Sequence, residues 1–243
     1  MIEKIIHRLT RILYSHLLTG DAVYCPICEK EFKKFLDYGV QKRQHAQCPN
    51  CKSLERHRLI WLFIKSKKLL DHHLKLLHIA PEPALFNEFR KHPNVEYVPA
   101  DKLITGYSYH KETVKVDITS IPYGTDYFNS ILCIHVLEHI DDDRSALKEL
   151  FRVLKPGGWA IIMVPMDTKM VKTFEDPLIS SSADRKKYYG QSDHVRLYGL
   201  DFPDRLNEAG FTIEINDTYH DLPEADRKKM RLRPGEYIYY CTK

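Results

Sequence analysis

Four cysteines restrict the folding of this chain more than any other feature. Cys25, Cys28, Cys48 and Cys51 are spaced C-x2-C-x19-C-x2-C. Each pair places two thiols on one tight turn, and the intervening segment returns the chain so that four sulfurs can close a tetrahedron. Met1-Ile2-Glu3-Lys4 opens the chain without the apolar core of a secretory leader, since Lys4, Arg8 and Arg11 interrupt it. A cytoplasmic location is therefore expected, and there such a pattern is a zinc site more often than a disulfide framework. Metal binding of this kind contributes ~10–16 kcal/mol, enough to fold a module too small to bury its own core. A redox pair would need one C-x-x-C within a strand–helix unit, which neither pair has. The four thiolates are the expected ligands of a structural Zn2+, with His45 not needed as a fifth. Cys133 and Cys241 sit within apolar runs and read as core thiols.

Charge divides the chain in the same place. Residues 1–75 carry 15 Lys/Arg against 7 Asp/Glu, whereas residues 76–243 carry 22 against 26. Two modules of different electrostatic character follow, the first suited to a polyanion or simply to a solvated basic surface. Within it, Ile2, Ile5, Ile6, Leu9, Ile12, Leu13 and Leu17 recur at helical spacing opposite Lys4, Arg8 and Arg11. An amphipathic helix is expected over residues 1–20, packed on its own protein or on a second copy as a homodimer contact. The zinc-ribbon-like module should span 21–55 and a linking helix 56–73. No stretch reaches the ~18 apolar residues of a membrane span.

From Leu74 onward, strand and helix patterns alternate. Apolar runs at Leu76–Ala80, Val95–Val98, Ile131–Val136 and Trp159–Val164 are separated by helical patterns at Ala84–Lys91 and Ser145–Leu154. A helix near Asp201–Ala209 and strands at Phe211–Ile215 and Tyr237–Cys241 complete the series. Such alternation means an α/β fold, a mostly parallel sheet with helices on both faces. Ligands of such sheets bind beyond the carboxyl ends of the strands.

The segment from Val116 to Pro165 is specific. Asp117-Ile118, the run Val136-Leu137-Glu138-His139, and the turn Arg152-Val153-Leu154-Lys155-Pro156-Gly157-Gly158 resemble the central part of class I S-adenosylmethionine-dependent methyltransferases of the type 11 branch. Downstream, His194-Val195-Arg196-Leu197-Tyr198 and Glu208-Ala209-Gly210-Phe211 are similar to that family's late helix and sixth strand. The resemblance covers about residues 74–243 and implies a Rossmann-like methyltransferase fold with a seven-stranded sheet. It also implies S-adenosylmethionine as cofactor and S-adenosylhomocysteine as product. Asp101, 23 residues beyond His78, has the offset of a ribose-binding acid. By the resemblance, Lys102 lies beside it, Asp117 and Ile118 meet the adenine, and Ile134 and His135 close the cofactor site. The bland reading of Asp101 is a strand-end turn residue, and of Asp117 a helix cap.

One stretch departs from the family. His78-Ile79-Ala80-Pro81-Glu82-Pro83-Ala84 stands where an acid and a glycine-rich turn are usual. His78 replaces the acid, and Ala80, Glu82 and Ala84 replace glycines that permit φ > 0. Glu82 is expected to take the cofactor's amino group, and Pro83 suits a first helical position. Methyl transfer needs a positioned nucleophile and, for O–H or N–H, a base. His135 or His194 is the expected base. His139, Arg196 and Tyr198 are the expected acceptor contacts, beside a polar segment over 167–198 that reads as a lid or acceptor-binding insertion.

Three functions remain open on these residues. The first is methyl transfer to oxygen or nitrogen of a small-molecule or glycan-type acceptor. The second is a zinc-assisted RNA base methyltransferase, with Phe32, Phe35 and Tyr38 stacking bases between lysines. The third is a non-catalytic zinc-ribbon adaptor with a degenerate methyltransferase domain.

Overall fold

The computed structural model describes residue 14 and residues 16–39, 42–104 and 109–243. The amphipathic helix expected over 1–20 lies outside the described residues except for its last turn, and so does the homodimer contact expected of it. The chain divides into two compact units.

The larger unit comprises His73–Pro81, Asn94–Asn216 and Tyr237–Lys243. Its sheet has seven strands: β5 (Leu74–Ile79), β6 (Val95–Asp101), β7 (Val114–Lys115), β8 (Phe128–Ile134), β9 (Leu154–Met163), β10 (Thr212–Asn216) and β11 (Ile238–Thr242). Their order is β10-β11-β9-β8-β5-β6-β7. The five strands from β9 to β7 run parallel, while β11 is antiparallel to both its neighbours. This is the mostly parallel α/β sheet that the alternation implied, with the seven strands that the family resemblance implied. β5 and β8 are near-continuous runs of buried residues, as strands covered on both faces must be.

Local chemistry explains the order of elements. Helix α3 (Asp143–Val153) starts where the Asp142 carboxylate accepts from the Ser145 amide at 2.9 Å. Ala146, Leu147, Leu150 and Val153 form its buried stripe. The start of β9 needs glycine twice. Gly157 has φ +73°, and a Cβ on Gly158 would fall 2.8 Å from the Asn129 carbonyl. Arg152 holds the preceding loop, donating to the carbonyls of Tyr123 and Ile121. Helices α4 (Ser182–Tyr189) and α5 (Phe202–Glu208) complete this unit.

The smaller unit gathers residues 1–72, 82–93 and 217–236. It holds two hairpins, β1 (Thr19–Cys25) with β2 (Lys30–Phe32) and β3 (Leu36–Tyr38) with β4 (Arg43–Gln47). Helices α1 (Glu55–Ser66), α2 (Pro83–Phe89), α6 (Thr218–Asp221) and α7 (Glu224–Lys229) join them. It thus draws on segments distant in sequence as well as the cysteine-bearing one. Arg58 on α1 is fully buried at its centre. The guanidinium donates to the carbonyls of Ala46, Ser53, Met230 and Arg231 and lies 4.7 Å from the centroid of the Phe35 ring.

Candidate functional site

The cysteine centre is built by two equivalent turns. The Glu29 amide donates to the Cys25 carbonyl at 2.8 Å, and the Lys52 amide to the Cys48 carbonyl at 3.0 Å. Glu29 and Lys52, each following the second cysteine of a pair, are left-handed, with φ of 52° and 66°. Cys25 Sγ lies 3.5 Å from Cys51 Sγ and Cys28 Sγ 3.7 Å from Cys48 Sγ. A tetrahedron with Zn–S bonds of about 2.3 Å has edges of about 3.8 Å, so the four sulfurs fit a zinc ion. Ser53 Oγ approaches Cys25 Sγ and Cys51 Sγ at 3.3 and 3.2 Å. Burial pushes the Arg58 pKa down, and the neighbouring cysteines and Glu55 oppose that shift.

In the larger unit, the parallel strands end on one rim. Asp101 closes β6, and its Oδ1 accepts from the Leu103 amide at 3.1 Å. In register with it, Lys115 closes β7, two residues before Asp117. Lys102 Nζ lies 3.8 Å from Asp117 Oδ2, both side chains about half exposed or more. Hydrogen bonds from the Thr119 hydroxyl and amide hold the Asp117 carboxyl below its usual range, with Lys102 assisting. Ile118 is buried next to it, and Ile134, the last residue of β8, is 2% exposed. The structure therefore brings Asp101, Lys102 and Asp117 together at the carboxyl end of the sheet.

The departing turn has its own solution. Ala80 follows β5 with φ +47°, and its amide donates to the Ala100 carbonyl at 2.8 Å. Without glycine, the left-handed turn is nonetheless made, at a cost of about 1–2 kcal/mol. Pro83 occupies the first turn of α2, with Glu82 as its extended N-cap. His78 is placed differently from the expectation. It is fully buried within β5, with Nδ1 2.9 Å from the Tyr97 hydroxyl, so it presents no surface at the rim. Glu82 belongs to the smaller unit, where its carboxylate lies 3.3 Å from His57 Nε2.

Beyond β8 the chain turns sharply at His135, whose φ is +53°. A 3-10 turn over Leu137–His139 follows. His135 Nδ1 lies 3.5 Å from Glu138 Oε1, and the Val195 amide donates to the Glu138 carbonyl at 2.8 Å. That bond draws His194 in against His139, their rings nearly perpendicular at 4.8 Å between centroids. Burial lowers the His194 pKa, with Glu138 opposing, so its ring is neutral near pH 7.

Two expected acceptor contacts are spent inside the protein. Arg196 is 3% exposed and donates to Glu175 and to the carbonyls of Leu137, Ile140 and Asp141. Tyr198 is fully buried, with its hydroxyl donating to Asp143 Oδ2 at 2.7 Å. They fix the 137–141 turn and have no surface left for an acceptor. Of the three expected contacts, only His139 is exposed, its side chain at 35%. The base-stacking platform also fails to form. Phe32 and Phe35 are each 1% exposed, leaving Tyr38 alone outside.

Sequence reading missed the group that anchors the 167–198 segment. Arg205 on α5 donates to Asp143 Oδ2 at 2.7 Å and to Glu175 Oε1 at 2.8 Å. Arg196 donates to the other oxygen of Glu175, also at 2.8 Å. Burial pushes the Glu175 carboxyl up, but Arg205 and Arg196 more than offset it and hold it low. Nothing in the spacing of these residues signals the network, because its members are joined only by the fold.

Residues 84–162 match the family described as Methyltransferase domain. The Ubiquinone/menaquinone biosynthesis C-methyltransferase UbiE of Vibrio vulnificus (strain YJ016) is 28% identical over 127 residues, which is 45% of this chain and 46% of that protein. The chain thus spans less than half the length of this curated relative. Among solved structures, an S-adenosylmethionine dependent methyltransferase from Mesorhizobium loti aligns with TM-score 0.52 and 12% identity, covering 76% of this chain and 98% of that one. The 1,6-didemethyltoxoflavin-N1-methyltransferase of Burkholderia thailandensis, solved with 1,6-didemethyltoxoflavin and S-adenosylhomocysteine bound, gives TM-score 0.52 at 12% identity over 78% of each chain. With the strand order described above, these matches show a Rossmann-like methyltransferase fold, within which residues 84–162 are similar to the methyltransferase domain family.

Proposed function

We propose that this protein transfers the methyl group of S-adenosylmethionine to oxygen or nitrogen of a small-molecule or glycan-type acceptor. One observation carries the reading: Asp101 closes β6 and Asp117 follows the adjacent parallel strand β7 by two residues, its Oδ2 3.8 Å from Nζ of Lys102. A strand-end carboxylate accepts the two hydroxyls of a ribose, and a second one a short distance away accepts an exocyclic amino group. Bound there, the cofactor would supply a methyl group already activated by its sulfonium charge. Asp101 would hold the ribose, while Asp117 and the backbone at Ile118 orient the base. His135, held at a left-handed φ at the end of β8, would take the proton of the acceptor O–H or N–H, with Glu138 Oε1 3.5 Å from Nδ1 favouring the protonated ring. Strain of this kind concentrates where a side chain must be aimed.

The zinc centre is closed by four thiolates and is structural in this reading. Burial of Phe32 and Phe35 speaks against base stacking there. The name of the UbiE relatives specifies a carbon acceptor, so carbon joins oxygen and nitrogen in the screen. Calorimetry of the zinc-loaded protein with S-adenosylhomocysteine tests the reading. Saturable binding supports it, whereas an absence of heat together with an unchanged melting temperature leaves only the non-catalytic adaptor.

A further inference from the structure

Glu138 is a buried carboxylate that no arginine or lysine of the surrounding turn neutralises. It is 1% exposed, its Oε2 has no hydrogen-bond partner among the described residues, and the nearby Arg196 is committed to three backbone carbonyls and Glu175. His194, 3% exposed, likewise has a buried Nε2 with no hydrogen-bond partner. Leaving a buried carboxyl oxygen and a buried ring nitrogen both unsatisfied is unfavourable unless another group completes them. His139 stands over the same point. Its Nδ1 lies 3.3 Å from both the carbonyl and the carboxylate of Asp193, which leaves Nε2 as the nitrogen that faces Glu138, 4.0 Å from Oε1. One donor atom from each of Glu138, His139 and His194 falls within 4.8 Å of the others.

We propose that Glu138, His139 and His194 hold a divalent transition-metal ion with a position open on the side of the partly exposed His139. Two imidazoles and one carboxylate favour zinc, cobalt, nickel or iron over magnesium or calcium. The Asp193–His139 contact is the outer-shell carboxylate that orients a ligating imidazole. Closing the three donors to the ~3.4 Å edges of a site with 2.0–2.1 Å bonds takes about an ångström of motion. His139, on the surface, can supply it. Filling the site satisfies both buried atoms at once, which a direct Glu138–His194 hydrogen bond does not do in this structure. Its use, an acceptor oxygen bound as the open ligand with its pKa lowered, rests on the methyltransferase reading.

The test is a Co2+ titration of full-length protein whose cysteine centre already holds zinc, followed by calorimetry and visible absorption. One further equivalent is expected, with no zinc released. Glu138→Gln and His139→Ala should each weaken that equivalent roughly 100-fold or more, while zinc content stays at one per chain and melting is cooperative. Since His139 is on the surface, His139→Ala remains informative if Glu138→Gln fails to fold. No second equivalent, or one unaffected by His139→Ala, overturns the proposal. S-adenosylhomocysteine binding measured on the same samples separates the two readings. Cobalt without nucleoside binding retains the metal site and removes the methyltransferase role, and the converse result removes the metal site alone.

Discussion

Arg58 donates to the Ala46 carbonyl from both of its terminal nitrogens, at 3.1 Å each. Its remaining donors reach Ser53, Met230 and Arg231, so one buried guanidinium joins β4, the second cysteine turn and the segment after α7. Truncation would strip partners from four carbonyls. Arg58→Met should destabilise the protein by about 3–5 kcal/mol, and Arg58→Lys should restore little, because an ammonium lacks the planar fork. Urea unfolding midpoints measure this. Equal stability of Arg58→Lys and wild type would show that the fork is not what matters.

Removing the zinc proposed for the four-cysteine centre should unfold the smaller unit. A chelator strong enough to strip a tetrathiolate, or Cys51→Ser, is expected to abolish protection of residues 19–72 in hydrogen exchange. The hairpins contribute few buried residues of their own, and metal binding accounts for ~10–16 kcal/mol in comparable modules. Unchanged protection after complete zinc loss would mean that the helices hold the unit without it.

Asp101→Asn tests the proposed ribose contact. Hydrogen bonds to a charged acceptor are worth about 1.5–3 kcal/mol, so S-adenosylhomocysteine affinity should fall roughly 10- to 100-fold. Because Asp101 is only partly buried and otherwise caps a local turn, unliganded stability should change by less than about 1 kcal/mol. An affinity within twofold of wild type would rule the contact out.

Ala80→Gly should stabilise, against the usual order of these residues. A left-handed alanine costs about 1–2 kcal/mol and glycine's extra chain entropy about 0.5–1, and Ala80 has φ +47°. A net gain of about 0.5–1 kcal/mol in thermal unfolding is expected. A loss would indicate that the Ala80 methyl packs well enough to outweigh the strain.

The Glu175 network predicts acid lability with a defined sign. Arg205 and Arg196 hold the folded carboxyl below its ordinary value of 4.5 despite partial burial. A depressed folded pKa adds stability that is fully present above the unfolded value and is lost as pH falls through the folded one. Glu175→Gln should therefore be less stable than wild type near neutrality, and the gap should narrow as the pH falls below 4.5 through the folded value. Melting curves between about pH 3 and 7 check this. Parallel curves over that range would remove Glu175 from the acid response.

The residues that spoke in the sequence are those whose reasons are local. Tight C-x-x-C turns, the alternation of apolar runs with helical patterns, and the paired glycines early in β9 each satisfy a short-range requirement, and each reads directly. Asp101 was legible at its strand end because a fixed offset along a strand–turn–helix unit carries it there, whereas Asp117 was legible only through the family resemblance. The turn at Ala80 was half legible: the missing glycines were plain, but that alanine itself takes the left-handed conformation was not.

Tertiary structure decided what each polar side chain does once it arrives. Histidine at 78 becomes a core partner of Tyr97, and Arg196 and Tyr198 turn inward to brace a loop, because partners from other strands and helices compete for them. Glu138, His139 and His194 meet only because the Val195 amide finds the Glu138 carbonyl across more than fifty residues of chain. The smaller unit recruits 217–236 through Arg58 for the same reason. Sequence period fixes which face of an element is apolar, whereas the pairing of buried donors and acceptors is settled only when distant segments have packed and every buried charge must find its counterpart.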